Sequence, residues 1–350
     1  MLLAVAALAA TVVASAGAYA AFTATRPAAP SSNTAVTVAD FATNPAGSVF
    51  LQADLSGRST ALTSGQAVVT LRITRNRIMY EIAWQNMATP SGMGLQQGTA
   101  GSVVMNLMPA AMPSSINAVA GVVNANSGLL NALLGNPKGF SANLSTAVGA
   151  VRGQFRQIGT FDFNQILHVG QLTSVDSGDQ EVPAAGDPNA HATVFLGANT
   201  TSLNYAAIWS GVASPTALNV NVGAAGADGN PVAALFRAPR GLNPTIIAVA
   251  GTVANVPART LAVLRADPAA FHTNLLTGRF PAGAARGQLF GPTTATTTVP
   301  PTTTRPTTMP TTTRPTVTPT MPTRQPTATM PTVPDTGMPV VTPTNAPPHW

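Results

Sequence analysis

The side chains of this chain that can do chemistry are few and scattered. Histidine occurs at 168, 191, 272 and 349, and cysteine is absent. Without cysteine there are no disulfides, thiolate-bound zinc or Fe–S clusters, and no thiol catalysis. No two histidines stand at a metal-ligand spacing such as H-x-H, so no metal site is expected. No G-x-S-x-G nucleophile elbow occurs. The glycine-rich run Gly223–Pro231 lacks the Gly-Lys-Ser/Thr ending of a phosphate loop and reads as a long connection between strands. Asp228 within it is a lone carboxylate, a weak basis for a calcium site. Glu181 and Arg286 remain. One opens and the other closes a repeated unit, so a bidentate carboxylate–guanidinium bridge is expected to clasp its ends. The same pair also reads as a catalytic acid beside an anion binder. No cofactor and no enzymatic activity are expected.

These residues sit in 350 positions of low charge, with 8% charged and 5% aromatic residues. The net charge of +6 comes from arginines with few acids against them, and Lys138 is the one lysine. The arginines form no basic cluster interleaved with aromatics, which excludes nucleic acid as the expected partner. β-branched residues between Gly and Pro punctuation point to an all-β protein.

Both ends differ from the middle. Residues 1–22 are apolar and end in Ala18-Tyr19-Ala20. This is a secretory signal peptide cleaved near Ala20, or else an uncleaved N-terminal anchor that provides the only membrane contact. Residues 23–48 read as a linker. From 292 to 350 the chain is Thr and Pro with occasional Met and Arg. This composition predicts a disordered, extended stalk, either plain or O-glycosylated. Val333–Gly337 (VPDTG) resembles a sortase signal, but neither an apolar span nor a basic end follows it. N-glycosylation patterns occur at Asn143 and Asn199.

Between the ends lies a repeat. Phe140–Phe155 and Phe271–Leu289 both run Phe, two residues, Asn-Leu, then Thr, and close on Arg-Gly-Gln. The signature residues are Asn143, Arg152, Gly153 and Gln154 in one, and Asn274, Arg286, Gly287 and Gln288 in the other. Upstream, Leu71, Tyr80 and Trp84 match Leu196, Tyr205 and Trp209 with equal spacing, and Ala118–Gly121 repeats as Ala248–Gly251. The offset stays between about 121 and 134 residues, too long for a solenoid. Two tandem domains are expected, at 49–158 and 163–291. Each reads as a β-sandwich of seven or eight strands. Ser115–Leu134 and Pro257–Arg265 are the stretches expected to be helical.

Val175–Pro183 (VDSGDQEVP), with the close from Asn274 to Leu289, resembles the CHRD domain, the module named after chordin. The first copy is similar but diverged, opening only on Leu55-Ser56-Gly57. The resemblance implies two tandem Greek-key β-sandwich domains of superoxide-dismutase or immunoglobulin type and an extracellular setting. Many members carry paired histidines where Asn219 and Asn221 stand here. Their closing histidine is replaced by Leu276 and Ser145.

The reading is therefore an exported, non-enzymatic protein displaying two CHRD-like sandwiches. It would act in binding, adhesion or wall and matrix structure, with an extracellular protein or glycan as partner. The alternative is a metal-dependent redox enzyme of superoxide-dismutase type, disfavoured by the missing histidines. A structural surface-layer component is a third reading.

Overall fold

A computed structural model describes residues 41, 43–57, 62–99 and 101–291. The apolar leader, the stretch up to residue 40, Thr60 and the Thr/Pro tract with Val333–Gly337 and His349 lie outside the described residues. Alternation of apolar and polar side chains places nine strands in the first half: β1 (Val49–Gly57), β2 (Gln66–Thr74), β3 (Arg77–Gln85), β4 (Pro90–Gln97), β5 (Val103–Met108), β6 (Ile116–Asn124), β7 (Phe140–Thr146), β8 (Gly149–Gln154) and β9 (Arg156–Ile158). Helix α1 (Ser127–Gly135) precedes β7. The second half holds β10 (Leu172–Ser177), β11 (His191–Ala198), β12 (Ser202–Ser210), β13 (Pro215–Val222), β14 (Pro231–Arg237), β15 (Ile246–Ala254), β16 (Phe271–Thr277) and β17 (Ala285–Gln288). Helix α2 (Ala258–Ala266) precedes β16.

The fold is all-β and antiparallel, as expected. In the first half the strand order is 6-3-2-1-8-7-4-5, and in the second it is 15-12-11-10-17-16-13-14. Each half wraps into a sandwich, because the chain crosses between its two layers after the third and fifth strands and again through the helix. The sequence landmarks fall on equivalent rungs. Leu71 stands opposite Tyr80 and Leu196 opposite Tyr205. Trp84 stands opposite Ala67 and Trp209 opposite Ala192. Even the ladder irregularities match, between Pro90 and Gly92 in one half and Pro215 and Ala217 in the other.

One expectation is corrected. Ser115–Leu134 is not one helix: Ile116–Asn124 is strand β6, and only Ser127–Gly135 is helical. The Ala-rich run favours a helix locally, but its alternate residues meet two different cores. Val119 faces the sandwich interior, while Ala118 and Ala120 on either side of it face an outer cluster. That two-sided burial needs period-two geometry. Asn126 caps α1 by accepting from Leu129 N at 2.8 Å. The expected Pro257–Arg265 helix is α2, shifted by one residue.

The halves join strand to strand. β6 pairs antiparallel with β15, with Val119 opposite Val249, Ala118 opposite Ala250 and Ala120 opposite Ala248. The arrangement has local pseudo-two-fold symmetry. Val122 N donates to Thr245 O, and Thr252 N donates to Ser115 O, both at 2.9 Å. Tyr80 Oη meets Thr245 Oγ1 at 3.1 Å, and Tyr205 Oη donates to Ser115 O at 3.3 Å. Glycine is required here: a Cβ on Gly121 would lie 2.3 Å from Thr245 O, and one on Gly251 would lie 1.8 Å from Ser115 O. The segment between the halves straps the outer face of this shared sheet. Phe163, Ile166 and Leu167 pack on Phe50, Met79, Phe195, Ala206 and Ile208. Phe163 also meets Phe41 and Phe161 edge-on, and the Arg72 guanidinium lies 5.4 Å from its ring centroid.

Candidate functional site

In the second half the outer face of β13, β16 and β17 is polar. Register places Asn219 opposite Asn274 and Asn274 opposite Arg286. One rung along, Asn221 stands opposite His272 and His272 opposite Gln288. Asn219, Asn221 and Asn274 are each 6% exposed, Arg286 2% and His272 0%. A polar strand face is normally solvated. This one is covered because the connection from β13 to β14, including Gly223–Asn230, folds back over it.

Hydrogen bonds hold that roof. Arg286 Nη2 donates to the carbonyls of Ala224 and Ala227 at 3.1 and 2.6 Å. Gln288 Nε2 donates to the carbonyls of Gly223, Ala269 and Phe271. Asn221 Nδ2 donates to Gly229 O at 3.1 Å. His272 Nδ1 lies 3.2 Å from Gly223 O, so in the neutral ring this nitrogen carries the proton. Burial lowers the His272 pKa and favours that neutral form. Asn274 Nδ2 reaches Ala282 O in the following turn at 3.0 Å.

Glu181 lies at the margin of this cluster, 7% exposed. Burial pushes its pKa up to about 7, against the opposing pull of Arg286. The two residues form no direct ion pair, so the expected bidentate bridge is not made. The guanidinium instead spends Nη2 on two loop carbonyls, and Glu181 is wedged under Gly186 and Gly283. A Cβ on Gly283 would lie 2.2 Å from Glu181 Oε1.

Beneath the same strands, on the core side, sits a trio the sequence reading did not single out. Thr273 Oγ1 donates toward Asp176, 2.8 and 2.7 Å from its two oxygens, and meets Ser174 Oγ at 2.6 Å. Asp176, Ser174 and Thr273 are fully buried. Burial raises the Asp176 pKa to about 7, against these hydrogen bonds. The first-half residues on the same rungs are Leu55, Ala53 and Ala142, all apolar. The one available signal was that all three differ together from the residues aligned with them in the first half.

The other signature residues have distinct roles. A Cβ on Gly287 would lie 2.2 Å from Asp176 Oδ1, and one on Gly153 2.1 Å from Asp54 O, so both glycines let the closing strand approach the opening one. Gln154 Nε2 donates to Lys138 O at 3.1 Å, as Gln288 does to Ala269. Arg152 Nε donates to Asn143 Oδ1, but Arg152 is exposed, because the β4–β5 connection is short and leaves it uncovered. Asn199, in the second glycosylation pattern, is exposed on the β11–β12 turn. His168 and His191 are exposed, and His191 lies on β11, three strands away from the β16 that carries His272. Among the described residues no three His, Cys, Asp or Glu side chains group as metal ligands, and no helix is long and apolar enough to cross a membrane.

A protein-family profile described as the CHRD domain matches residues 172–289. The match begins at β10 and ends one residue after β17, and so covers all eight strands of the second half. No curated protein and no solved structure matches the chain.

Proposed function

We propose that this is an exported, non-catalytic protein that carries two CHRD-type domains, the first diverged, and acts by binding at the cell surface or in the extracellular matrix. The observation that carries the reading is the sealing of Asp176, Glu181, His272 and Arg286. Asp176 and His272 are 0% exposed, Arg286 2% and Glu181 7%, so none of them meets a substrate at the surface. A general acid or base must come within hydrogen-bond reach of the reacting atom. These groups instead organise loops, and loops on a rigid sandwich are where binding surfaces are built. Duplication is supported by the matching strand order, rungs and bulges of the halves. Export is supported by the apolar leader with its Ala18-Tyr19-Ala20 ending.

The test has two arms. The full chain, produced in a secreting host, should leave the cell with Ala21 as its first residue. The exported protein should then bind saturably to an array of extracellular proteins and cell-wall polysaccharides. Retention in the cytosol with the leader intact overturns export, and absence of saturable binding on the array overturns the binding role.

A further inference from the structure

The polar face under the Gly223–Asn230 connection holds more hydrogen-bond acceptors than donors. Carbonyls draw the donors away from it: Asn221 Nδ2 to Gly229, His272 Nδ1 to Gly223 and Asn274 Nδ2 to Ala282. An amide whose NH2 faces a carbonyl turns its oxygen the other way, and an imidazole protonated on Nδ1 keeps a lone pair on Nε2. Asn221 Oδ1, Asn274 Oδ1 and His272 Nε2 are accordingly buried with no partner, as are Asn219 Oδ1 and Glu181 Oε1. Buried polar atoms are nearly always satisfied in folded proteins, so four orphans on one strand face, with Glu181 Oε1 at its margin, ask for a bound species.

Four of the acceptors share the strand face, and Glu181 borders it. Asn219 and Asn274 are cross-strand neighbours. Asn274 is tied to Ala282, and the next residue, Gly283, lies against Glu181 Oε1. Arg286 is the cation of this row, with Nη2 committed to Ala224 and Ala227. The first half differs on the equivalent rungs. There Gly94, Ser141 and Asn143 stand in place of Asn219, His272 and Asn274. Asn143 Oδ1 already has Arg152 Nε as its donor, and Ser141 Oγ donates to Gly98 O.

We propose that a single hard divalent cation, Ca²⁺ or Mn²⁺, binds beneath this connection, held by the Glu181 carboxylate and the amide oxygens of Asn274 and Asn219. Carboxylate and amide oxygens are the donors such ions prefer. Asp228, on the exposed loop, adds negative field at Glu181.

The experiment uses the full chain, stripped with EDTA and titrated separately with CaCl₂ and MnCl₂ by calorimetry, with thermal unfolding in parallel. The expected result is one equivalent of either ion taken up and a raised Tm. Glu181→Gln and Asn219→Gly should each weaken uptake by about tenfold or more, a loss typical of disturbed metal sites. Asn143→Ser, in the first half, should leave uptake unchanged. If Glu181→Gln does not fold, Asn219→Gly reads the same site with the residue the first half carries. Uptake of neither ion, or uptake that survives both substitutions, overturns the proposal.

Discussion

Val119 stands directly opposite Val249, at the centre of the ladder that fuses the two halves into one sheet. The rungs on either side exchange equivalent partners, and both tyrosine hydroxyls cross the junction. Stability of the halves is therefore coupled. Gly251→Val would drive a side chain into Ser115 O. It should cost about 2 kcal/mol or more, as overpacking does. Gly278→Ala, with nothing within 4 Å of its Cβ, is the control. Urea unfolding of both variants checks this, and equal midpoints would refute it.

The strap gives a second prediction. Phe163→Ala removes the ring that meets Phe41, Phe161 and the Arg72 guanidinium. The expected loss is about 3 to 5 kcal/mol, the range for a fully buried phenylalanine. Chemical denaturation followed by tryptophan emission measures it. A loss under about 1 kcal/mol would mean that the strap is not part of the cooperative core.

The buried acids predict an unusual pH profile. Asp176 and Glu181 are each raised to about 7 and Glu81 to about 8, all chiefly by burial. An acid with a raised folded pKa binds more protons folded than unfolded, so its protonation favours the fold. Stability should rise as pH falls from 8 to 6.5. Below the ordinary histidine pKa of 6.5, His272, lowered by burial, opposes the trend, because the fold holds it neutral. Tm measured across this range tests the sign, and a flat or falling Tm between pH 8 and 6.5 would contradict it.

The interior trio isolates one share of that slope. Asp176→Leu combined with Ser174→Ala and Thr273→Ala installs the residues of the first half. Exchanging a whole buried polar group for apolar side chains of similar shape is close to neutral or stabilising, whereas removing one member strands the others. The triple variant should fold with a shallower pH dependence, and Thr273→Ala alone should be less stable than the triple. Thermal melts of both decide the point.

Much of this was legible from spacing. Leu71 and Tyr80, like Leu196 and Tyr205, are equidistant from tight turns, so their spacing encoded a rung before any coordinates. The repeat phrases marked the closing strands for the same reason. The β6 strand was not legible, because Ala and Val alternating between two cores look helical when only one neighbour is imagined. The Glu181–Arg286 bridge was inferred from chain position alone. Nothing in sequence said that the Gly223–Asn230 connection would turn its carbonyls onto Arg286. Asp176 was read only as part of an opening phrase, since a lone acid in a strand does not announce that its side chain points inward.

The β6–β15 ladder has a consequence for life in dilute surroundings. Strand edges that fit each other so closely are adhesive, and on separate molecules such edges would pair between chains in a concentration-dependent way. Here the strap tethers the two edges, so their meeting is first order and persists at any dilution. An exported chain would keep its eight-stranded platform in the medium while offering neighbours no matching edge at that point to polymerise upon.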